Sequence, residues 1–347
     1  MVHPPEEKDL FRIPQLRFLK HLPKGIPERL VGSLGPFPLF KIKGIETTDG
    51  KKAEGWVLGL LSTPKLMLQK KPEKTYKLLV KASKWGQKYG AKIMGLGAFT
   101  SVVGDAGLTV AERSPLVVTT GNSLTVAATI KSIERILELT KRDIGKEKIA
   151  IVGATGSIGK AVAKLLAKKG ARLILVSKTK EKLEALARKL GKNVVSFGTS
   201  SNLLKDVKLI VGATSSSGKA IPVEKLNPGS VIVDIALPPD LSKDEAAKRT
   251  DCLVLESGEI FLPGNPEFSY DWPLPKNIAY ACEAETILLS LTESFELSTL
   301  GREIDIAKVE KIWKLAEKNG FKWAGFRSFG QDLSEENVLN FLSKNNF

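Results

Sequence analysis

Lys148-Ile-Ala-Ile-Val-Gly153-Ala-Thr-Gly156-Ser-Ile-Gly159-Lys-Ala-Val162 decides how this chain is read: an apolar run breaks at three glycines and resumes at helical spacing. The pattern predicts strand, tight turn and helix. Gly153 then lets the chain leave the strand sharply, Gly156 admits a pyrophosphate close to the backbone, and Gly159 lets the helix pack on a sheet. Ala161, Leu165, Leu166 and Ala167 continue the apolar helix face, Gly170 stops it, and Arg172-Leu-Ile-Leu-Val-Ser177 supplies a second strand. That completes a βαβ unit of a dinucleotide-binding domain. A Walker A loop is excluded, because five residues separate Gly153 from Gly159 and Ala161 stands where Ser or Thr would hold magnesium.

The expected phosphate cradle is Gly153, Thr155, Gly156, Ser157, Ile158 and Gly159, with free N–H groups at the helix start facing the anion. An NAD site places Asp or Glu about 20 residues further on to accept from the ribose 2′-OH. This chain has Ser177-Lys178-Thr179-Lys180 instead, hydroxyls and ammonium groups that would hold a 2′-phosphate, so NADPH is the expected cofactor. Val207-Lys-Leu-Ile-Val-Gly212 predicts another strand whose exit, Ala213, Thr214 and Ser215, lines the same crevice, and Val231-Ile-Val-Asp234 and Cys252-Leu-Val-Leu-Glu256 repeat the pattern. The fold class is α/β, a doubly wound Rossmann domain joined to an α/β substrate domain.

At 347 residues the chain buries a sizeable core, and no apolar run is long enough to span a bilayer. The start carries Glu6, Glu7 and Asp9 and shows no export signal, so a cytoplasmic protein is expected. Two cysteines and two histidines, His3 and His21, make neither a disulfide scaffold nor a metal site, and no metal is expected. The net charge of +15 is spread along the chain without a nucleic-acid-binding signature. It suits a thermophilic surface or an acidic partner.

Residues up to Pro38 interleave proline and basic residues with Phe11, Ile13, Leu16, Phe18, Leu19 and Leu22. Peripheral membrane contact and packing against the protein body are both open for this arm, and its prolines favour the second. Thr47-Thr-Asp49-Gly50 between two strand-like runs predicts a hairpin; a helix through Tyr76, Leu79 and Trp85 and a strand entering the loop after Leu96 follow. Thr119-Thr120-Gly121-Asn122-Ser123 precedes a strongly periodic helix. One oxygen suffices to cap a helix; the surplus at Thr120, Asn122 and Ser123 points to substrate or nicotinamide contact as well.

Cys282, in Ala281-Cys-Glu-Ala-Glu285, sits near the start of a helix. Two readings stand: a thiolate favoured by the helix N-terminus, or a small buried cysteine packing like alanine.

The segments Leu96-Gly-Ala-Phe-Thr-Ser101, Thr119-Thr-Gly-Asn-Ser123, Gly153 to Gly159, Asp271-Trp272 and Ala281 to Glu285 together resemble the long-chain fatty acyl-[acyl-carrier-protein] reductases best known from cyanobacteria. The resemblance runs from about residue 40 to 320. It implies an architecture like that of shikimate dehydrogenase and glutamyl-tRNA reductase. It also implies that Cys282 is the acyl-accepting nucleophile, that Gly153–Gly159 and Ser177–Lys180 hold NADPH, and that an acyl-carrier protein or acyl-CoA is the substrate. Thr120, Asn122 and Ser123 are candidate oxyanion donors. The chain departs from the family at Glu283, where an apolar residue is usual, and in its N-terminal arm and the tail from 330 to 347.

The expected division is a substrate domain with its linker helix over 1–145, a Rossmann domain over 146–279, and a C-terminal helical segment over 280–347 that returns to the first domain. The expected reaction is NADPH-dependent reduction of an acyl thioester to an aldehyde. Direct hydride transfer in the manner of shikimate dehydrogenase, and NADPH binding without catalysis, are the alternatives. The oligomeric state is left open.

Overall fold

The structure, a computed structural model, describes residues 1–4, 6–214, 220–237, 239–268, 274–345 and 347. Ser215 and the Asp271-Trp272 pair lie outside them. Two compact units form: the first comprises Met1–Gly121, Phe261–Arg302 and Lys314–Lys322, the second Asn122–Ile260, Glu303–Trp313 and Trp323–Phe347.

The first unit begins with 3-10 turns at Glu7–Arg12 and Pro14–His21 and helix α1 (Ile26–Val31). Strands β1 (Phe37–Glu46) and β2 (Lys52–Gly59) then form the expected hairpin, closed by the Thr47 N–H donating to Lys51 O at 2.9 Å. Helices α2 (Pro64–Gln69) and α3 (Pro72–Lys88) both open on proline, which suits a first turn whose N–H has no partner. α3 turns Tyr76, Leu79 and Ala82 into a core shared with Leu58, Leu96 and Val118. β3 (Ile93–Gly95) and β4 (Val117–Thr119) pair in parallel, with α4 (Leu108–Arg113) between them in sequence.

In the second unit, α5 (Asn122–Leu139) leads into β5 (Lys148–Val152), α6 (Ser157–Lys168), β6 (Arg172–Val176), α7 (Lys180–Leu190), β7 (Val194–Gly198), β8 (Leu209–Gly212), β9 (Val231–Asp234), α8 (Lys243–Ala246) and β10 (Leu253–Glu256). The strands stand in the order β7-β6-β5-β8-β9-β10, all parallel. This is the doubly wound arrangement, and its order reverses between β5 and β8, where such sheets bind ligands. Gly153, at φ +87°, makes the turn out of β5; a Cβ there would lie 2.4 Å from Ala213 O. Phe326–Ser328 and Gln331–Leu333 extend the sheet antiparallel beyond β10. Among the described residues no helix is long and apolar enough to cross a membrane.

The unit boundaries differ from the expected domains. Helix α5 belongs with the second unit because it packs along α6. Residues 261–268 and 274–279 belong with the first, since Gly264–Phe268 pairs antiparallel with β1. Of the C-terminal segment, α9 (Ala281–Thr292) is in the first unit, whereas α10 (Ile306–Lys318) is divided and α11 (Glu335–Lys344) is in the second.

Asp234, which ends β9, was read only as a strand exit, yet its buried carboxylate organises the loops beyond the sheet. It accepts N–H groups from Ala236 at 3.0 Å, Asp240 at 2.7 Å and Leu241 at 3.2 Å. Burial, then the neighbouring Asp240, pushes its pKa up to about 7. Because the folded state holds this proton more tightly than the unfolded one, the associated stability is full below about pH 4 and is lost as pH rises through 7. Thermal melts should therefore show a smaller fall in Tm between pH 5 and pH 8 for Asp234→Asn than for the wild type; equal slopes would contradict the assignment.

Candidate active site

In the second unit, β5 delivers the glycine turn and α6 begins at Ser157 with no side chain capping it. Gly156 is exposed, and Thr155, Ser157 and Ile158 are half-buried beside it. The uncapped start of this 12-residue helix, next to an open glycine, fits the pyrophosphate of a dinucleotide. Thr155 and Ser177 bond through their hydroxyls at 2.6 Å, which ties the turn to the end of β6. Lys178 and Lys180 are exposed on either side of Thr179, the residue before α7, whose side chain makes no cap bond. These residues can meet a phosphate.

Thr214 has another task. Its N–H donates to Asp240 Oδ2 at 2.8 Å and its hydroxyl donates to Asp240 Oδ1, so the β8 exit containing Ala213 and Thr214 is braced by a buried carboxylate. Asp240 was missed because nothing nearby in sequence marks it; the brace spans 26 residues.

In the first unit, α9 carries Cys282 as its second residue, with Tyr280 before it and no side-chain cap. The exit of β4 comes so close that a Cβ on Gly121, at φ +70°, would sit 2.2 Å from Cys282 Cα. Glu285, one turn further along α9 and fully buried, accepts from the hydroxyls of Thr119 at 2.5 Å and Thr299 at 2.9 Å. Thr299 N–H in turn donates to Thr119 Oγ1 at 3.0 Å. Sequence reasoning counted the Thr-Thr-Gly run but not its carboxylate partner.

Thr120 was expected to face the substrate. Its N–H and hydroxyl donate to Thr299 O at 2.8 and 3.1 Å, so it holds two loops together. Asn122 and Ser123 are the first residues of α5, in the second unit, and both are buried.

Cys282 is half-buried as a residue and lines a cavity of about 710 Å³ within the first unit. Met94, Leu116 and Ile287 give that cavity apolar walls, and Trp56, Trp85 and Tyr89 stand together in it, Trp85 stacked on Tyr89 at 4.2 Å and edge-on to Trp56 at 5.7 Å. Lys41, Lys51, Lys52 and Lys92 also border it.

The helix N-terminus does not make Cys282 acidic. Burial and then the Glu283 charge push the thiol up to about 12, outweighing the backbone N–H groups of Ala98 and Glu283 that favour the thiolate. Ala98 reaches the sulfur from a left-handed conformation at φ 48°, one that L residues rarely adopt. Glu283 is itself pushed up to about 7 by burial; its side chain borders the cavity, and Oε2 is buried with no hydrogen-bond partner among the described residues. The Met1 ammonium, which donates to Gly95 O at 2.7 Å, is the cation facing both groups.

The sequence model of the shikimate / quinate 5-dehydrogenase family matches residues 134–254. The aminotransferase PigE of Serratia sp. is 36% identical over 259 residues, covering 72% of this chain and 30% of PigE. This chain thus spans less than a third of that protein. The long-chain acyl-[acyl-carrier-protein] reductase of Synechococcus elongatus is 26% identical over 296 residues, 80% of this chain and 85% of that one. L-tryptophan dehydrogenase from Nostoc punctiforme aligns in structure with a TM-score of 0.42 and 15% identity, over 84% of this chain and 75% of that one. Residues 134–254, within the second unit, are similar to the shikimate / quinate 5-dehydrogenase family, and the parallel sheet there has the doubly wound strand order of nicotinamide dinucleotide-binding folds.

Gly121→Ala tests the close approach at the site. A side chain at this φ, 2.2 Å from Cys282 Cα, should lower the stability by about 1–3 kcal/mol in urea unfolding; an unchanged midpoint would refute it.

Proposed function

We propose that this protein reduces a fatty acyl thioester, carried on an acyl-carrier protein or coenzyme A, to an aldehyde through an acyl group held on Cys282. One observation carries the reading: a cysteine in the first turn of α9 opens into a 710 Å³ cavity with apolar and aromatic walls, large enough for an acyl chain. The similarity to the Synechococcus elongatus reductase over 85% of that protein supports it. The aminotransferase name of PigE belongs to a chain of which 30% is matched, and it is not carried over.

A thiol with its pKa near 12 needs a base, and Glu283 is the group beside it that ionises near 7. Its carboxylate takes the thiol proton as Cys282 Sγ bonds to the acyl carbon. The carrier's C–S bond then breaks, and Glu283 returns the proton to the departing thiolate. The amides of Ala98 and Glu283, which already point at the sulfur, stabilise negative charge there. Gly153 to Gly159, with Lys178 and Lys180 for the 2′-phosphate, would hold NADPH, which would supply hydride to the acyl carbon; the carbon–sulfur bond to Cys282 then breaks, releasing the aldehyde, and the thiolate regains a proton from solvent. A cytoplasmic location goes with this chemistry.

Intact-mass analysis after incubation with acyl-CoA, without NADPH, should find one acyl group on the peptide containing Cys282, and Cys282→Ala should abolish it and cut turnover on the order of 10³-fold. Near-normal turnover in that variant would instead favour direct hydride transfer, the reading suggested by the shikimate-dehydrogenase-type domain.

Replacing Lys178 and Lys180 by Ala should shrink the preference for NADPH over NADH roughly ten-fold in cofactor titrations, since charge-assisted bonds to phosphate would be lost. Because the active form of Glu283 is the carboxylate, the acylation rate should rise with pH through about 7 and level off, and Glu283→Gln should remove that limb. A limb that persists in Glu283→Gln would assign the base elsewhere.

A further inference from the structure

The N-terminal arm has an inner and an outer side. Leu10, Leu19 and Val31 are buried against Leu61, with Phe11, Ile13 and Leu16 packed beside them, which fastens the arm to the first unit. The residues next to these anchors point the other way: Phe18 is 68% exposed beside buried Leu19, and Leu30 57% exposed beside buried Val31. Leu22, Ile26, Leu34, Phe37 and Leu39 are exposed as well.

Among the described residues, seven of the seventeen exposed large apolar side chains thus fall between residues 18 and 39, so the concentration is local and not a general property of the surface. The exposed charges in this stretch have one sign. Arg17, Lys20, Lys24 and Arg29 are exposed. The one acidic residue between Ile13 and Ile45, Glu28, is buried and accepts from the Thr63 hydroxyl at 2.6 Å.

We propose that the outer side of this arm docks the protein on the surface of an anionic lipid bilayer, Phe18, Leu22, Leu30 and Leu34 entering the acyl boundary while Arg17, Lys20, Lys24 and Arg29 meet the headgroups. The pairing of exposed apolar side chains with four cations, which outnumber the exposed Glu6 carboxylate near Lys24, matches an interface that is apolar below and negative above. An acidic protein partner would be met by the cations but would leave the apolar side chains without a function. The inference is independent of the chemistry at Cys282.

The test is sedimentation of the full chain with vesicles of phosphatidylcholine alone or phosphatidylcholine containing phosphatidylglycerol. Binding is expected to the anionic vesicles and to fall with salt. It should weaken on the order of five-fold for each cation removed in Lys20→Gln and Lys24→Gln, and be lost in Phe18→Ser/Leu30→Ser/Leu34→Ser. Circular dichroism and melting of each variant confirm that the arm's inner anchors still hold the fold. Failure to bind anionic vesicles, or binding untouched by these variants, would overturn the proposal. So would a concentration-dependent dimer, or a complex with an acidic carrier protein, that the triple variant abolishes while wild-type protein ignores the vesicles.

Discussion

The buried carboxylate of Glu285 is the tie on which the cysteine-bearing unit depends. It draws the hydroxyls of Thr119 and Thr299 onto one helix, although the three residues lie up to 180 positions apart in the chain. Without partners a carboxylate at zero exposure would be costly; with two hydroxyl donors it becomes a fixed point from which α9 is aimed. The glycine at 121 is the steric counterpart, since only a residue without a side chain lets the β4 exit rest against the helix start.

That placement sets up an opposition at Cys282. The cavity that would receive an apolar substrate is also the environment that disfavours a thiolate, and here burial defeats the helix terminus. Two backbone amides and the Met1 ammonium oppose that effect, whereas the Glu283 charge adds to it; both histidines lie near the start of the chain. Glu283, the departure from the resembled family, is where this opposition is resolved in the proposed chemistry.

Much of the second unit was legible in the sequence because its signals are local. Gly153 and Gly159, the apolar face from Ala161 to Ala167 and the run Leu173–Val176 all act within a few turns of each other, and each forms the element it predicts. Strand order beyond β6, the brace from Asp240 to Thr214 and the allegiance of α5 were not legible, since pairings across tens of residues leave no periodicity behind. Thr120 shows the same limit: the surplus of hydroxyls was visible, but the carbonyl of Thr299 that uses one of them was not. Ala98 gave no signal at all, because its contribution comes from a backbone amide and a rare φ.

The far side of the parallel sheet has a consequence for how the molecule keeps to itself. β10 would otherwise present a bare rim of peptide groups, ready to recruit a strand from a neighbouring chain. Instead Phe326–Ser328 lies against it in the opposite direction, and the outermost position falls to Gln331–Leu333, three residues long and carrying Asp332 in an ion pair with buried Arg327. A rim so short, with a charged residue at its centre, offers a passing strand little to add to, so residues 326–333 serve as a selvedge against unravelling into aggregates.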